Sequence, residues 1–309
     1  MPKTKTNTKN ENTATKTKFL TLGKRQNLTG WIFLAPGALL IIWMSFYPML
    51  RALILSFQTG KGANMSFAEP FFYNYARMFK DKVFLLTMKN TFTYLIIQVP
   101  LMLVIALLVA TLLNNKDLKC KTLFRVAIFL PCATSLVSSS MIFRTLFAND
   151  GFVNTIFMKI GLMSEPVHWL ANPGTARFVI ILALLWRWTG YNMVLFLAGL
   201  QNIDYSIYEA ARIDGANVFK TYTKITVPLL RPMILLTAIM STNGTLQLFD
   251  ESAVLTNGGP SNMTMTMSHY LYQVSFNNSN FGYASALSFV ILILVAILAF
   301  IQMKVGDER

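Results

Sequence analysis

Residues 101–113 read LMLVIALLVATLL, inside a longer run, residues 90–115, that holds no Asp, Glu, Lys or Arg. A helix of about 20 predominantly apolar residues crosses the hydrocarbon core of a bilayer, so this stretch is long enough to span one. A membrane β-strand would alternate apolar and polar residues over about ten positions, and this run does not alternate. The composition agrees. Of 309 residues, 54% are hydrophobic and 13% are charged, against about 25% charged in a soluble domain, and the mean hydropathy is +0.49. So few polar groups cannot cover a soluble surface. A soluble globular enzyme and a disordered regulator are excluded, and an all-α integral membrane protein is expected. The two cysteines, Cys120 and Cys132, are too few for a disulfide scaffold. On one helix their spacing rises about 18 Å, beyond disulfide reach.

Six segments qualify as spans: residues 31–57 with Pro36 and Pro48 inside, 90–115, 126–147 with Pro131, 178–202 with Arg187, 232–249 and 284–303. The net charge of +14 could suggest nucleic acid, but the positive residues sit between uncharged stretches, the pattern of loops flanking spans. Of 27 basic residues, 17 fall on the side that holds both termini, 9 on the other, and Arg187 lies within a span. The positive-inside rule then puts both termini in the cytoplasm of a multi-pass cell-membrane protein. The segment from residue 250 to 283, without Lys or Arg, is the strongest mark of the outer face. Residues 1–30, rich in Lys, Thr and Asn, are expected to form a disordered basic cytoplasmic tail, with the permeating domain over residues 31–309. No cleaved signal peptide is expected, because the first apolar segment is too long and lacks a small-x-small site.

Nothing in the sequence composes an enzyme site. His168 and His269 are about a hundred residues apart and fit no metal-ligand spacing. No G-x-x-x-x-G-K-[ST] phosphate loop is present, so any ATP chemistry belongs to another chain. The alternation Met263-x-Met265-x-Met267 resembles a soft-metal path but has no His or Cys beside it. It reads instead as an extended segment near the membrane surface.

The loop at residues 205–228 carries the most information. Ser206 with Glu209 three residues on forms a capping box, Ala210 and Ala211 favour helix, Gly215 allows a sharp turn or C-cap, and a second helical stretch starts near Asn217. Glu209, Ala210, Ala211, Gly215, Ile225, Val227 and Pro228 then match the pattern E-A-A-x3-G-x9-I-x-L-P, with Val227 in place of leucine. In this the chain resembles the permeases of binding-protein-dependent ABC importers. It is also similar to their carbohydrate branch in FLAPGALL of the first span, in Asn74-Tyr75-x3-Phe79-x-Asp81-x2-Phe84-x5-Asn90-Thr91, in Asp150-Gly151-x2-Asn154 with Trp169-Leu170, and in the stretch from Phe249-Asp250 through Thr256-Asn257-Gly258-Gly259-Pro260 to Gly282-Tyr283-Ala284-Ser285-Ala286.

The resemblance implies a type I ABC importer permease fold with six transmembrane helices. The loop becomes the coupling helix, with Glu209, Ala210, Ala211, Asp214, Gly215 and Ala216 meeting an ATP-hydrolysing subunit. It implies a second homologous permease, two such ATPase subunits carrying ATP and magnesium, an extracellular solute-binding protein and a sugar or oligosaccharide as solute. No catalytic residue, metal or cofactor is expected in this chain, and no nucleic-acid partner. A charged group within a span marks a solute path by default, and positions 184, 187, 188 and 191 share one helical face, as do 241, 244, 245 and 248. The maltose-importer branch places solute contacts at Leu184, Arg187, Trp188, Tyr191, Ser241, Thr245 and Leu248. Asn192, Asn243 and Gln247 complete the candidate path. Arg187, able to pair bidentately with carboxylate or phosphate, raises the expectation of an anionic sugar, against a structural role for the same side chain. The polar hydroxyls of these spans equally suit interhelical hydrogen bonds. The alternatives are an ABC permease for a non-sugar solute such as glycerol phosphate or a polyamine, and an ion-coupled secondary transporter. The latter would want buried carboxylates within its spans, and the spans hold essentially none.

Overall fold

The computed structural model describes residues 22–61, 64–115 and 118–307. The chain divides into two units, residues 1–51 and 52–309, each described by itself. The first holds α1 (Leu22–Ile41), a π-helical turn (Ile42–Phe46) and the start of α2 (Tyr47–Ser56). Residues Thr29–Ser56 form one apolar helix long enough to cross a membrane. Pro48 has no N–H to donate, and the turn before it widens to a five-residue bond from Tyr47 N–H to Ile42 O. The expected tail is partly corrected: residues 22–30 are helical. Lys24, Arg25, Gln26 and Leu28 are good helix formers and extend a helix that is already nucleated. Residues 1–21 lie outside the described residues.

The second unit opens with a two-stranded antiparallel hairpin, β1 (Gln58–Lys61) and β2 (Asn64–Phe67), Gln58 opposite Phe67. This departs from a purely helical class. The rest is helix: α3 (Tyr73–Met78), α4 (Lys82–Asn114), α5 (Lys121–Ala133), α6 (Leu136–Leu146), α7 (Phe152–Lys159), α8 (Pro173–Gln201), α9 (Tyr205–Ile213), α10 (Val218–Thr221), α11 (Val227–Leu229), α12 (Arg231–Leu246), α13 (Asp250–Thr256), α14 (Met267–Tyr272) and α15 (Phe281–Asp307).

Helices α4, α8 and α15 are long and apolar enough to span, and they contain the expected second, fourth and sixth segments. The second starts earlier than residue 90 because the Asp81 carboxylate accepts from Val83 N–H and Phe84 N–H, a side-chain N-cap. The third segment is not a straight span, and a bend lies just before the fifth, which runs along α12. Helices α5 and α6 meet at 98°, and the pair Val218–Leu229 and Arg231–Leu246 at 68°. The first break follows Pro131, with Thr134 and Ser135 extended. The second falls where Pro232 removes an amide donor.

Ala106, Ala110, Met193, Phe196 and Leu197 form part of a buried cluster that also holds Leu230. Gly190 lets α8 approach α5 directly: a Cβ there would lie 2.0 Å from Ile128 O. Near the start of α4, polar side chains stitch the connecting segments down. Asn74 Nδ2 donates to Ser56 O and Gln58 O. Asn90 Nδ2 donates to Asn262 O and Met265 O, and Arg177 donates to Asn90 Oδ1 and Met263 O. Thr91 Oγ1 accepts from Met267 N–H. Asp81 accepts from the hydroxyls of Tyr270 and Tyr283. Asn154 binds Val167 in both directions and takes the Trp169 indole N–H. The motifs of the carbohydrate branch are thus largely fasteners. Met265 and Met267 are buried rather than laid on a surface.

Two predictions follow from this packing. Gly190→Val should lower thermal stability by about 1–3 kcal/mol or more through overpacking. Gly174→Ala, whose Cβ meets nothing within 4 Å, should leave the melting temperature of the purified protein unchanged. The second concerns acid. Burial holds His269 below its ordinary value. At Asp81 burial raises the carboxyl, but the hydrogen bonds from Tyr270, Tyr283, Phe84 and Val83 outweigh it and the net shift is downward. Both folded-state values lie below the unfolded ones, so both contributions are present at neutral pH and fade on acidification, His269 from about 6.5 and Asp81 from about 3.9. Melting curves should show a smaller loss below pH 6.5 in His269→Asn than in wild type, and Asp81→Asn should remove the further loss below pH 4.

Candidate functional site

A cavity of about 330 Å³ opens between α4, α8, α12 and α13. Gln98 and Met102 come from α4, and Leu184, Trp188, Tyr191 and Asn192 from one face of α8. Ser241, Gly244 and Thr245 come from α12 with Gln247, Leu248 and Phe249 beyond it, Asp250 and Glu251 from the start of α13, and Leu136 from the first residue of α6. Of the ten expected path residues, Leu184, Trp188, Tyr191, Asn192, Ser241, Thr245, Gln247 and Leu248 lie on this wall. Asn243 does not, being turned outward with its Oδ1 accepting from Gln247 Nε2. The polar groups are ordered across helices. Thr245 Oγ1 donates to Gln98 Oε1 at 3.0 Å, and Ser241 Oγ to Asn192 Oδ1 at 3.3 Å. The rings of Trp188 and Tyr191 stand perpendicular at 6.2 Å. Hydroxyls, amides, carboxylates and two amphipathic rings suit a polyhydroxylated solute that is apolar on its faces and polar at its edges.

Arg187 is not on the cavity wall. Its guanidinium is turned to the break between α5 and α6. Nη2 donates to Thr134 O at 2.7 Å and Cys132 O at 3.5 Å. Nη1 donates to Ser139 Oγ at 2.7 Å, Thr134 Oγ1 at 3.3 Å and Pro131 O at 3.4 Å. The last carbonyls of a helix lack partners within it, and a cation is favoured at that end of the macrodipole. Here Arg187 supplies both partner and charge. Its Nε is buried without a partner.

Sequence reasoning missed Gln98, the lone amide within residues 95–113, and Glu251, two residues past the fifth expected segment. Glu251 is 4% exposed. Burial pushes its carboxyl up to about 7; its own backbone amide opposes this, Asp250 adds to it, and Arg187 opposes it. His269, expected to be an ordinary loop residue, is buried with Nδ1 2.9 Å from Ser252 Oγ.

The second feature is the 205–228 loop. Asp204, not Ser206, caps α9: its carboxylate accepts from Ser206 N–H. The charged acceptor two residues earlier displaces the hydroxyl expected there. At the other end Gly215 has φ +73°, Gly215 N–H donates to Arg212 O and Ala216 N–H to Ala211 O. That is a Schellman closure, which needs a left-handed residue at the Gly215 position. Asn217 then caps α10. Ala211 is buried and Ala216 half-buried, while Glu209, Ala210, Asp214 and Gly215 are exposed. The turn leaves Ile213 87%, Val218 88% and Phe219 75% exposed, an apolar ledge that the sequence pattern did not reveal.

Residues 75–307 match the family described as the binding-protein-dependent transport system inner membrane component. The chain belongs to that family: it is a sugar-transport permease subunit of the ABC class, a multi-pass membrane protein and not an enzyme. It is 45% identical over 291 residues to the lactose transport system permease protein LacF of Rhizobium radiobacter, covering 93% of this chain and 97% of that one. It is 34% identical over 300 residues to the arabinooligosaccharides transport system permease protein AraP of Halalkalibacterium halodurans, covering 94% and 93%. Its fold matches the crystal structure of a bacterial ABC transporter involved in the import of the acidic polysaccharide alginate, with a TM-score of 0.81 at 20% identity over 92% of this chain and 98% of that one.

The Arg187 geometry makes a prediction. Arg187→Ala should strand the carbonyls at the break, each unsatisfied buried group costing about 1–3 kcal/mol. The variant should melt well below wild type, and uptake of every solute should fall together. A solute ligand would instead lose one solute at unchanged melting temperature.

Proposed function

We propose that this chain forms half of the translocation path of an ATP-driven importer of sugars or oligosaccharides, and that the 205–228 loop couples it to a separate ATPase. Counting each bent pair as one span gives six, with both termini in the cytoplasm, as the distribution of Lys and Arg favours. A second homologous permease would complete the path, a solute-binding protein would deliver from outside, and two ATP-hydrolysing subunits, with their ATP and magnesium, would sit beneath the loops.

The observation that carries the reading is the ledge of Ile213, Val218 and Phe219 around the Glu209–Gly215 turn. Apolar side chains this exposed, on a turn fixed by two caps and a Schellman closure, are placed for an apolar cleft on a partner. Glu209 and Asp214 add polar contacts at its edge. Helix α8 runs from the cavity into this loop, so closing the ATPase subunits on one end would move the wall at the other.

The relatives named for lactose and arabinooligosaccharides support a sugar as solute. An acidic sugar is the second reading. It leaned on Arg187, whose guanidinium is engaged with carbonyls 131, 132 and 134, and the alginate importer, at 20% identity, speaks for fold alone.

The test is co-purification of the tagged chain from detergent with identification of its companions. Wild type should bring down a second permease and an ATPase. Gly215→Asp and Phe219→Asp should lose the ATPase by at least about tenfold, equivalent to 1.4 kcal/mol, and keep the permease. A chain that purifies alone, and moves solute in liposomes without ATP, would contradict the proposal and favour the ion-coupled transporter.

A further inference from the structure

Among the residues on the cavity wall Glu251 stands apart. It is buried to 96% of its surface, the complement of its 4% exposure, yet it faces the cavity. Among the described residues its carboxylate has one hydrogen-bond partner, its own backbone amide. Of the other polar groups there, Gln98 pairs with Thr245 and Asn192 with Ser241 across helices. A buried carboxylate with so little of its acceptor capacity used is costly, and one in a cleft is a candidate for a binding role. Arg187 attracts it but its Nη1 and Nη2 donors are spent on the break between α5 and α6, and no ion pair joins the two among the described residues. The free acceptor capacity of Glu251 therefore points into space that a solute would fill. Asp250 lines the same wall, so the cavity is bordered by two carboxylates and by no basic side chain.

We propose that Glu251 is a solute-binding residue that accepts hydrogen bonds from sugar hydroxyls and sets the preference of the cavity for uncharged over acidic sugars. This rests on the reading of the chain as a sugar importer. An ionised carboxylate accepts two or more hydroxyl donors, and charge-assisted bonds of this kind are the strong ones. The same charge repels a uronate. With Trp188 and Tyr191 offering their rings, Glu251 would fix the sugar edge while the rings hold the face. Burial has shifted the carboxyl so that its charge is held weakly near neutrality, and hydroxyl donors from a bound sugar would favour the ionised form.

The experiment uses the whole complex, this chain with its companion permease and ATPase, in lipid nanodiscs without the binding protein, so that the cavity alone selects. Lactose and digalacturonate are titrated while intrinsic tryptophan fluorescence, to which Trp188 contributes, is followed. Wild type should bind lactose at least about tenfold more tightly than digalacturonate. Glu251→Ala should weaken lactose by about ten- to a hundredfold, the range for a hydrogen bond to a charged group. Glu251→Gln keeps the shape and removes the charge; it should bind digalacturonate better than wild type does, narrowing the ratio, at an unchanged melting temperature. A purely structural residue would not move that ratio. An unchanged lactose affinity and ratio in Glu251→Gln would overturn the role of Glu251 and leave the importer reading intact. Preference of wild type for digalacturonate would overturn the uncharged-solute assignment together with Glu251. Binding of neither sugar by wild type would count against the sugar reading itself and remove the basis of the proposal.

Discussion

The seat of Arg187 on the break between α5 and α6 is the contact on which the rest of the helical core depends. In lipid every backbone polar group must find a partner within the protein, so a span cannot simply stop and turn by 98°. Pro131 and the extended residues Thr134 and Ser135 leave the last carbonyls of α5 open, and a guanidinium has the donors and the charge to close them. Gly190, one turn along α8, brings the α5 backbone near enough for that reach. Once the break is held, α6 departs in a new direction. Its first residue, Leu136, forms part of the cavity wall, and α13 packs against α6, bringing Asp250 and Glu251 to the same space.

Helix α8 then joins the two features of the molecule. Its middle carries Leu184, Trp188 and Tyr191 on the cavity wall and, beside them, Arg187 with its side chain turned to the break. Its C-terminal end packs through Phe196, Leu197 and Leu200 into the cluster that holds Leu230, and three residues past it Asp204 caps α9 of the 205–228 loop. A packed helix moves as a body. In the proposed cycle a displacement of the loop by the ATPase would reach the cavity through α8 and the three-residue connection at 202–204. The fasteners at Asn74, Asp81, Asn90 and Asn154 hold the opposite end, where a delivered solute would arrive.

Much of this was legible in the sequence. The long uncharged stretches mark α4, α8 and α15, because length and hydropathy alone decide whether a helix can cross a bilayer. The E-A-A spacing marks the loop, and the aromatic and hydroxyl faces of α8 and α12 bring eight of ten expected residues to one cavity. What escaped depended on direction rather than identity. Arg187 shares a helical face with Trp188 and Tyr191, yet its long side chain turns to the carbonyls of another helix, which no periodicity reveals. The break in the third segment follows Pro131 and the bend before the fifth lies just ahead of Pro232, whereas Pro36 and Pro100 sit within continuous helix. Ser206 lost its capping place to Asp204 because an ionised acceptor lay two residues earlier. Glu251 looked like the polar end of a span, and only the return of α13 into the core makes it a wall residue.

The central claim, that α8 and α12 line a solute path which opens to alternate sides, is tested most directly by cysteine accessibility in the reconstituted complex. Cys120 and Cys132 are replaced by serine, and single cysteines are placed at Ser241, Thr245 and Thr242. Ser241 and Thr245 lie on the cavity wall, while Thr242 is buried against Gln302. Ser241→Cys and Thr245→Cys should react with a membrane-impermeant maleimide from one side without nucleotide and lose that reactivity when a non-hydrolysed ATP analogue is bound, with Thr242→Cys silent throughout. Reactivity at positions 241 and 245 that is absent, or the same with and without nucleotide, would contradict the account.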